Sequence, residues 1–235
     1  MYPKTAKISN YSLTYFNKKE LSILKEEIFS KEIYSIDLDS PTPVIFDIGA
    51  YIGLSTVYFK HKYPHSKIFC FEPNPNVFPL LEENIYGNQL TDITLHNIAL
   101  GKSEGIRDFY IDSSGEGAFS TSSFIKNAWN GKQKTSRIAV PVKKLSSFIS
   151  ENIDLVKIDV EGCELEILND LEESNKIDSI KNIILEYHPI SKRNIENVIK
   201  ILERNNFELS YYLEGEKVQS PTEELLLIVA KKRGK

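Results

Sequence analysis

Val44-Ile45-Phe46-Asp47-Ile48-Gly49-Ala50-Tyr51-Ile52-Gly53 is the stretch whose reading decides the fold. Val44, Ile45, Phe46 and Ile48 form a short apolar run rich in β-formers, behind Pro41 and Pro43. The run ends at a pair of glycines. That is the pattern of a buried parallel strand stopping in a tight turn. The residues after Gly53, Leu-Ser-Thr-Val-Tyr-Phe-Lys-His-Lys-Tyr, read as a helix. Strand, glycine turn and helix together form the entrance to a nucleotide-type site.

The turn departs from a dinucleotide fingerprint, which places glycines at G-x-G-x-x-G. Aligned on Gly49, Asp47 replaces the first glycine and Ile52 the third. A carboxylate at that place repels a pyrophosphate. It favours a ligand carrying an ammonium and a sulfonium, such as S-adenosyl-L-methionine. The bland alternative is a generic turn with an acidic surface residue.

Outward from this stretch, apolar segments alternate with helical ones. Lys67–Phe71 reads as a second strand ending in Glu72-Pro73, and a helix follows from Pro75 to Tyr86. Ile93–Ile98 reads as a third strand. Ile106–Ile111 and Arg137–Val142 predict two more, flanking a Ser/Gly/Asn-rich stretch, Asp112–Ser136, that holds the sole tryptophan, Trp129. A long loop of this kind is either an acceptor-binding loop or simply mobile. Leu155–Val160 and Ile180–Tyr187 are further core strands, and Asn194–Arg204 is an amphipathic helix. Phe207–Leu213 and Glu224–Ala230 form a closing pair of strands. The expectation is an α/β fold, a doubly wound sheet that is mostly parallel with an antiparallel C-terminal strand. Residues 1–43 read as an N-terminal helical extension, from the apolar spacing of Leu21, Leu24, Ile28 and Phe29. Residues 44–235 form the main domain, with a hairpin and loop insertion at 99–142.

Length and composition fit one soluble domain: 235 residues, 41% hydrophobic and 26% charged. A net charge of −4 leaves no basic excess to neutralise phosphates, so a nucleic-acid partner is not expected. No run approaches a membrane span, and the N-terminus shows no signal-peptide pattern. The two cysteines, Cys70 and Cys163, do not make a disulfide framework, so a cytoplasmic location is expected. A homo-oligomer stays open.

In open α/β sheets, ligands bind beyond the carboxyl ends of the strands. There the sequence places Asp47, Gly49 and Gly53, then Glu72, then Asn97 and Ala99, then Asp159 and Glu161, then Glu186 and His188. Glu72 lies at the spacing of a ribose-binding acid, and a carboxylate suits a diol. Its alternative role is to favour the following helix through the helix dipole. Asp159 and Glu161, two apart, are expected to leave their strand on the same side, with Glu186 and His188 repeating the geometry. Carboxylates gathered in this way make a general base or bind a hard divalent cation. Structural ion pairing with residues such as Lys157 is the competing explanation.

The segments Phe46-Asp47-Ile48-Gly49-Ala50-Tyr51-Ile52-Gly53, Phe71-Glu72-Pro73, Asn97-Ile98-Ala99-Leu100-Gly101, Val156-Lys157-Ile158-Asp159-Val160-Glu161-Gly162-Cys163-Glu164 and Leu185-Glu186-Tyr187-His188-Pro189 resemble, in order and spacing, the FkbM-type methyltransferase family. The resemblance implies a class I methyltransferase (Rossmann-like) fold. It implies S-adenosyl-L-methionine-dependent O-methyl transfer to a hydroxyl of a sugar, glycan or polyketide-like acceptor. It assigns Asp47, Gly49, Ala50, Tyr51, Gly53, Glu72, Pro73, Asn97 and Ala99 to the cofactor. Asp159, Glu161 and His188 then face the reacting hydroxyl, with Glu161 or His188 as base and a divalent cation as a variant. Tyr51 and Cys163 depart from the family's usual asparagine and alanine. The rivals are an NAD-dependent oxidoreductase, which Asp47 and Ile52 disfavour, and a non-catalytic subunit that binds cofactor or glycan.

Overall fold

The structure is a computed structural model describing residues 2–114, 120–126, 128, 134–189 and 195–234. Trp129 and Asn194 lie outside the described residues. The chain enters through an antiparallel hairpin, β1 (Lys4–Ile8) and β2 (Tyr11–Tyr15), turned at Ser9 with φ 52°. This corrects the purely helical reading of residues 1–43. Lys4 and Lys7 interrupt the apolar alternation, so the strand signal is weak, yet Ile8, Leu13 and Tyr15 are buried. Helix α1 (Lys18–Lys25) follows, capped by Asn17, whose side chain accepts from Glu20 N. It runs into a wide π-type turn, Glu26–Ser30, closed by Lys31 N donating to Glu26 O at 2.8 Å.

The main body alternates strand and helix: β3 (Val44–Ile48), α2 (Leu54–Lys62), β4 (Lys67–Phe71), α3 (Phe78–Gly87) and β5 (Ile93–His96). A small second sheet is made of β6 (Ala99–Leu100), β7 (Gly105–Asp112) and β8 (Thr135–Lys143), in the order β6-β8-β7. The chain then returns to the main sheet through β9 (Leu155–Ile158), α4 (Glu164–Glu173), β10 (Asn182–Tyr187), α5 (Ile195–Arg204), β11 (Phe207–Leu213), β12 (Glu216–Val218) and β13 (Leu226–Lys232).

The main sheet has the order β12-β11-β13-β10-β9-β3-β4-β5. From β10 to β5 it is parallel, and β13, β11 and β12 close it antiparallel. This is the mostly parallel sheet expected, with β12 a strand too short and polar to stand out in the sequence. The chain winds outward from β3 through β4 and β5, then resumes beside β3 at β9. The order therefore reverses between β3 and β9, and a crevice opens at such a switch point.

Strand alternation sorts the core into two faces. Phe46, Ile48, Val156 and Ile158 join the apolar residues of α4 and α5. Ile45, Leu155 and Ile184 join those of α2, α3 and the N-terminal hairpin. Ile45, Phe46 and Ile48 are all at most 1% exposed, and each such side chain contributes about 1.5–3 kcal/mol on burial. The N-terminal segment thus shares the core of the main domain. Cys70 and Cys163 are buried free thiols. Among the described residues no helix is long and apolar enough to cross a membrane.

Candidate active site

The glycine turn after β3 is shaped by contact with β9. Gly49 adopts φ 78°, and a Cβ placed there would lie 1.8 Å from the Asp159 carbonyl oxygen. Gly49 N and Ala50 N donate to Phe71 O at 2.9 and 3.1 Å, tying the turn to the end of β4. Tyr51 is left-handed at φ 49°, which aims its N–H at Glu72 Oε2, 2.9 Å away. Asn74 N donates to Glu72 Oε1 at 2.8 Å. Glu72 is thus oriented by two backbone donors, while burial raises its pKa to about 7. Asn97 Nδ2 donates to the Glu72 carbonyl at 2.8 Å, so Asn97 braces the acid from behind. Gly53, at φ 86°, caps α2, and a Cβ there would meet Leu81 Cδ1 at 2.7 Å. Ala50, Tyr51, Pro73 and Ala99 line the cavity with Gly49 and Glu72, whereas Asp47, Gly53 and Asn97 lie outside its lining.

Asp47 stands where the sequence predicts a ligand-facing acid, but the structure turns it inward. It shares its sheet face with Ile45, toward α2, and is fully buried. Ser55 Oγ and Thr56 Oγ1 of α2 both donate to Asp47 Oδ2 at 2.6 Å. Register pairs Asp47 with Lys157 on β9, and their charged atoms are 3.3 Å apart. Lys157 Nζ also donates to Gly49 O at 2.7 Å and lies 3.4 Å from Asp159 Oδ2. Burial alone would lower the Lys157 pKa, but Asp159 and Asp47 more than offset it and hold the ammonium above its usual range. Asp47 therefore acts through Lys157, which fixes the glycine turn and Asp159 together. The sequence offered Lys157 only as a generic partner for acids.

Asp159, Glu161 and His188 do converge, with one ligating atom from each lying within 4.8 Å of the others. The route differs from the one expected. β9 ends at Ile158, and Glu161 is left-handed at φ 56°, followed by Gly162 at φ 103°. A turn, not strand alternation, brings the Glu161 carboxylate back. Ser123 Oγ donates to Glu161 O at 2.6 Å and pins this turn to the loop after β7. His188 Nε2 lies 3.7 Å from Asp159 Oδ1 and 3.6 Å from Glu161 Oε2. Its Nδ1 is 2.7 Å from Glu164 Oε1, an oxygen that also accepts from Gly162 N at 3.0 Å. Burial would lower the His188 pKa, but Glu161, Glu164 and Asp159 raise it to about 10, so the ring is an imidazolium at neutral pH. Burial raises the Glu161 carboxyl, and the facing imidazolium restrains that rise. Glu186 accepts from the buried Tyr34 hydroxyl, and burial and then Asp159 raise its pKa to about 7 against the restraint of the His188 imidazolium.

These groups line one cavity of about 290 Å³. One side is built by the ends of β3, β4 and β9. The opposite side comes from α1 and the π-type turn, with Ile23, Leu24, Glu27 and Ile28, and from Phe109 and Phe124 of the second sheet and its loop. Tyr34 and Glu164 are absent from the site read in the sequence, where the helix over residues 20–29 reads first as a packing helix and second as one rim of a substrate pocket. Glu164 was legible in principle, since it stands in the same short acidic segment as Asp159 and Glu161, at the start of α4.

The "Methyltransferase FkbM domain" family profile matches residues 47–209. "Methyltransferase 1" of Beauveria bassiana is 28% identical over 231 residues, covering 92% of this chain and 91% of that protein. The "31-O-demethyl-FK506 methyltransferase FkbM" of Streptomyces tacrolimicus is 24% identical over 225 residues, covering 83% and 85%. The crystal structure of methyltransferase FkbM from Methylobacillus flagellatus KT superposes with a TM-score of 0.55 at 14% identity, over 81% of this chain and 44% of that longer one. That likeness speaks to the fold. The chain belongs to the FkbM methyltransferase family and is an S-adenosylmethionine-dependent methyltransferase.

Proposed function

We propose that the chain methylates a hydroxyl of a sugar, glycan or polyketide-like acceptor, with Glu161 as the general base. The carrying observation is that Glu161 lines the same cavity as Gly49 and Glu72 and is held there by a left-handed turn. The residues present fit S-adenosylmethionine. Gly49 lets the turn pack against the Asp159 backbone and still line the cavity, Glu72 offers acceptor lone pairs to a ribose diol, and acidic side chains suit an ammonium. Ala50, Tyr51, Pro73 and Ala99 would complete its pocket. Bound there, it supplies an electrophilic methyl group on a sulfonium and leaves as the thioether.

The chain's own part is to align the hydroxyl and take its proton. Glu161 is the better base of the two candidates. The His188 ring meets carboxylates at both nitrogens and has no free lone pair, whereas the Glu161 carboxyl, raised by burial to about 8, is a stronger base than an ordinary carboxylate and is increasingly ionised above that pH. The proton passes to Glu161 as the acceptor oxygen bonds to the methyl carbon. His188, held through Glu164, orients Glu161 and Asp159. An O-directed methylation in the name of the FK506-related relative supports oxygen as the target. The test is transfer of labelled methyl groups to a hydroxyl panel. Labelled product at oxygen supports the reading, and product at nitrogen or carbon alone would refute it.

A second reading gives Asp159, Glu161 and His188 to a divalent cation, which the closeness of their ligating atoms favours. It is decided by exhaustive chelation. The base mechanism expects full activity afterwards, and recovery only on adding metal would transfer the role to the ion.

Glu72 gives a pH prediction. With its pKa near 7, it is mostly ionised at pH 8 and mostly protonated at pH 6. Protonation removes an acceptor for the diol, so affinity is lost as pH falls. Calorimetry with S-adenosylhomocysteine should show about a tenfold weakening from pH 8 to pH 6. Glu72→Gln should flatten that slope.

A further inference from the structure

Two features of the cavity go unused by the methyl-transfer chemistry: its apolar mouth and its lack of an available cation. Ile23 and Leu225 line the cavity yet are 48% and 49% exposed, so apolar surface continues from the interior to the rim. Leu24, Ile28, Phe109 and Phe124 extend that surface inward. The aromatic pair is fixed, not adaptable. Phe109 and Phe124 meet edge-to-face at 5.3 Å, and the Arg107 guanidinium lies 4.1 Å over the Phe124 ring while paired with Glu166 at 2.6 Å. Such a wall rewards an apolar skeleton.

The charges of the lining point the same way. Its cationic side chains, among the described residues, are Lys157 and His188. Both are buried and held by carboxylates, Lys157 by Asp47 and Asp159 and His188 by Glu161 and Glu164. In these pairs the positive charge of both is already matched by the chain's own carboxylates, which leaves little of it for an acidic acceptor beside the cofactor. Such an acceptor would also meet Glu27, half-buried on the π-type turn in the N-terminal wall. Among the described residues Glu27 makes no ion pair within 4 Å, and the nearby charges that act on it are the Lys31 ammonium and the Asp159 carboxylate. A like charge held close in a desolvated cavity is costly, and enzymes use that cost to discriminate.

We infer that the acceptor hydroxyl is carried on an apolar skeleton without an acidic group, and that Glu27 is the residue that excludes acidic acceptors. This rests on the methyl-transfer reading above and narrows its acceptor class. Glu27 belongs to the wide turn and lines the cavity from it.

The test uses the full chain with labelled S-adenosylmethionine and matched acceptors that differ in one group. Hydroxy fatty acids are compared with their methyl esters, and alkyl glucuronides with theirs. The ester should be preferred to the free acid by at least about tenfold in kcat/KM in both series. The hydroxy fatty ester should outrun the glucuronide ester. Glu27→Gln should shrink the ester-to-acid ratio, and Glu27→Lys should shrink it further while S-adenosylhomocysteine affinity stays unchanged. Equal use of acid and ester by the unmodified protein overturns the inference but leaves methyl transfer standing. So does a ratio indifferent to Glu27. Absence of product from every acceptor despite tight cofactor binding defeats the methyl-transfer reading, and the inference with it.

Discussion

Glu161→Gln should lower kcat by about 10²–10⁴-fold, the range that a positioned general base contributes. The amide keeps the volume and can accept a hydrogen bond, but it cannot take the acceptor proton. The change also removes one of the carboxylates facing the His188 imidazolium, while Glu164 and Asp159 remain. The ring keeps its place, so the fold and the cofactor pocket should survive. Single-turnover assays separate the effects: slow chemistry with unchanged S-adenosylhomocysteine affinity is the expected pattern. A loss confined to KM would place Glu161 in acceptor binding instead. Full activity would pass the role to another group.

Gly49→Ala should nearly abolish cofactor binding, by at least about a hundredfold, which is roughly 2.7 kcal/mol. Two costs combine. A left-handed non-glycine residue costs about 1–2 kcal/mol. The new methyl would also overlap the Asp159 carbonyl, 1.8 Å away, which is backbone and cannot swing aside. The turn must therefore retreat from β9, taking with it the Gly49 carbonyl that Lys157 holds at 2.7 Å. Cofactor cradle and catalytic end should fail together, and the melting temperature should fall. Gly87→Ala is the control, because a Cβ there meets nothing within 4 Å. Calorimetry and thermal melting of both variants check the pair. A Gly49→Ala protein that binds normally would mean the turn is looser than described.

What the sequence made legible was local. A parallel strand, its glycine turn and the acid after the next strand are each encoded within a few residues, and Gly49 and Glu72 sit where that pattern puts them. What escaped needed register. Nothing in Phe46-Asp47-Ile48 says which way Asp47 faces until β9 is placed alongside and Lys157 becomes its direct neighbour. The same holds for Glu161. Its closeness to Asp159 was anticipated, but through strand alternation, whereas a left-handed residue before Gly162 does the work. The N-terminal wall was hardest. Tyr34 meets Glu186 across most of the chain's length, and no short-range signal carries such a pairing.

These corrections sharpen how the site divides its labour. On the proposed reading Glu72 faces the cofactor and Glu161 serves the chemistry beside an imidazolium held by Glu164, while Asp47 and Lys157 hold the frame. Tyr51 joins the cofactor turn to α1, since its N–H meets Glu72 and its hydroxyl meets Glu20. Glu20 in turn accepts from Ser120 N at 3.0 Å, so the glycine turn, the N-terminal wall and the loop after β7 are connected.

The most direct test of that division is calorimetric titration of S-adenosylhomocysteine into the unmodified protein, Glu72→Gln and Glu161→Gln at pH 8. The account predicts binding weakened about tenfold by Glu72→Gln, one lost charge-assisted hydrogen-bonding partner, and unchanged within about twofold by Glu161→Gln. Equal weakening in both variants, or binding of NAD in place of the thioether, would contradict it.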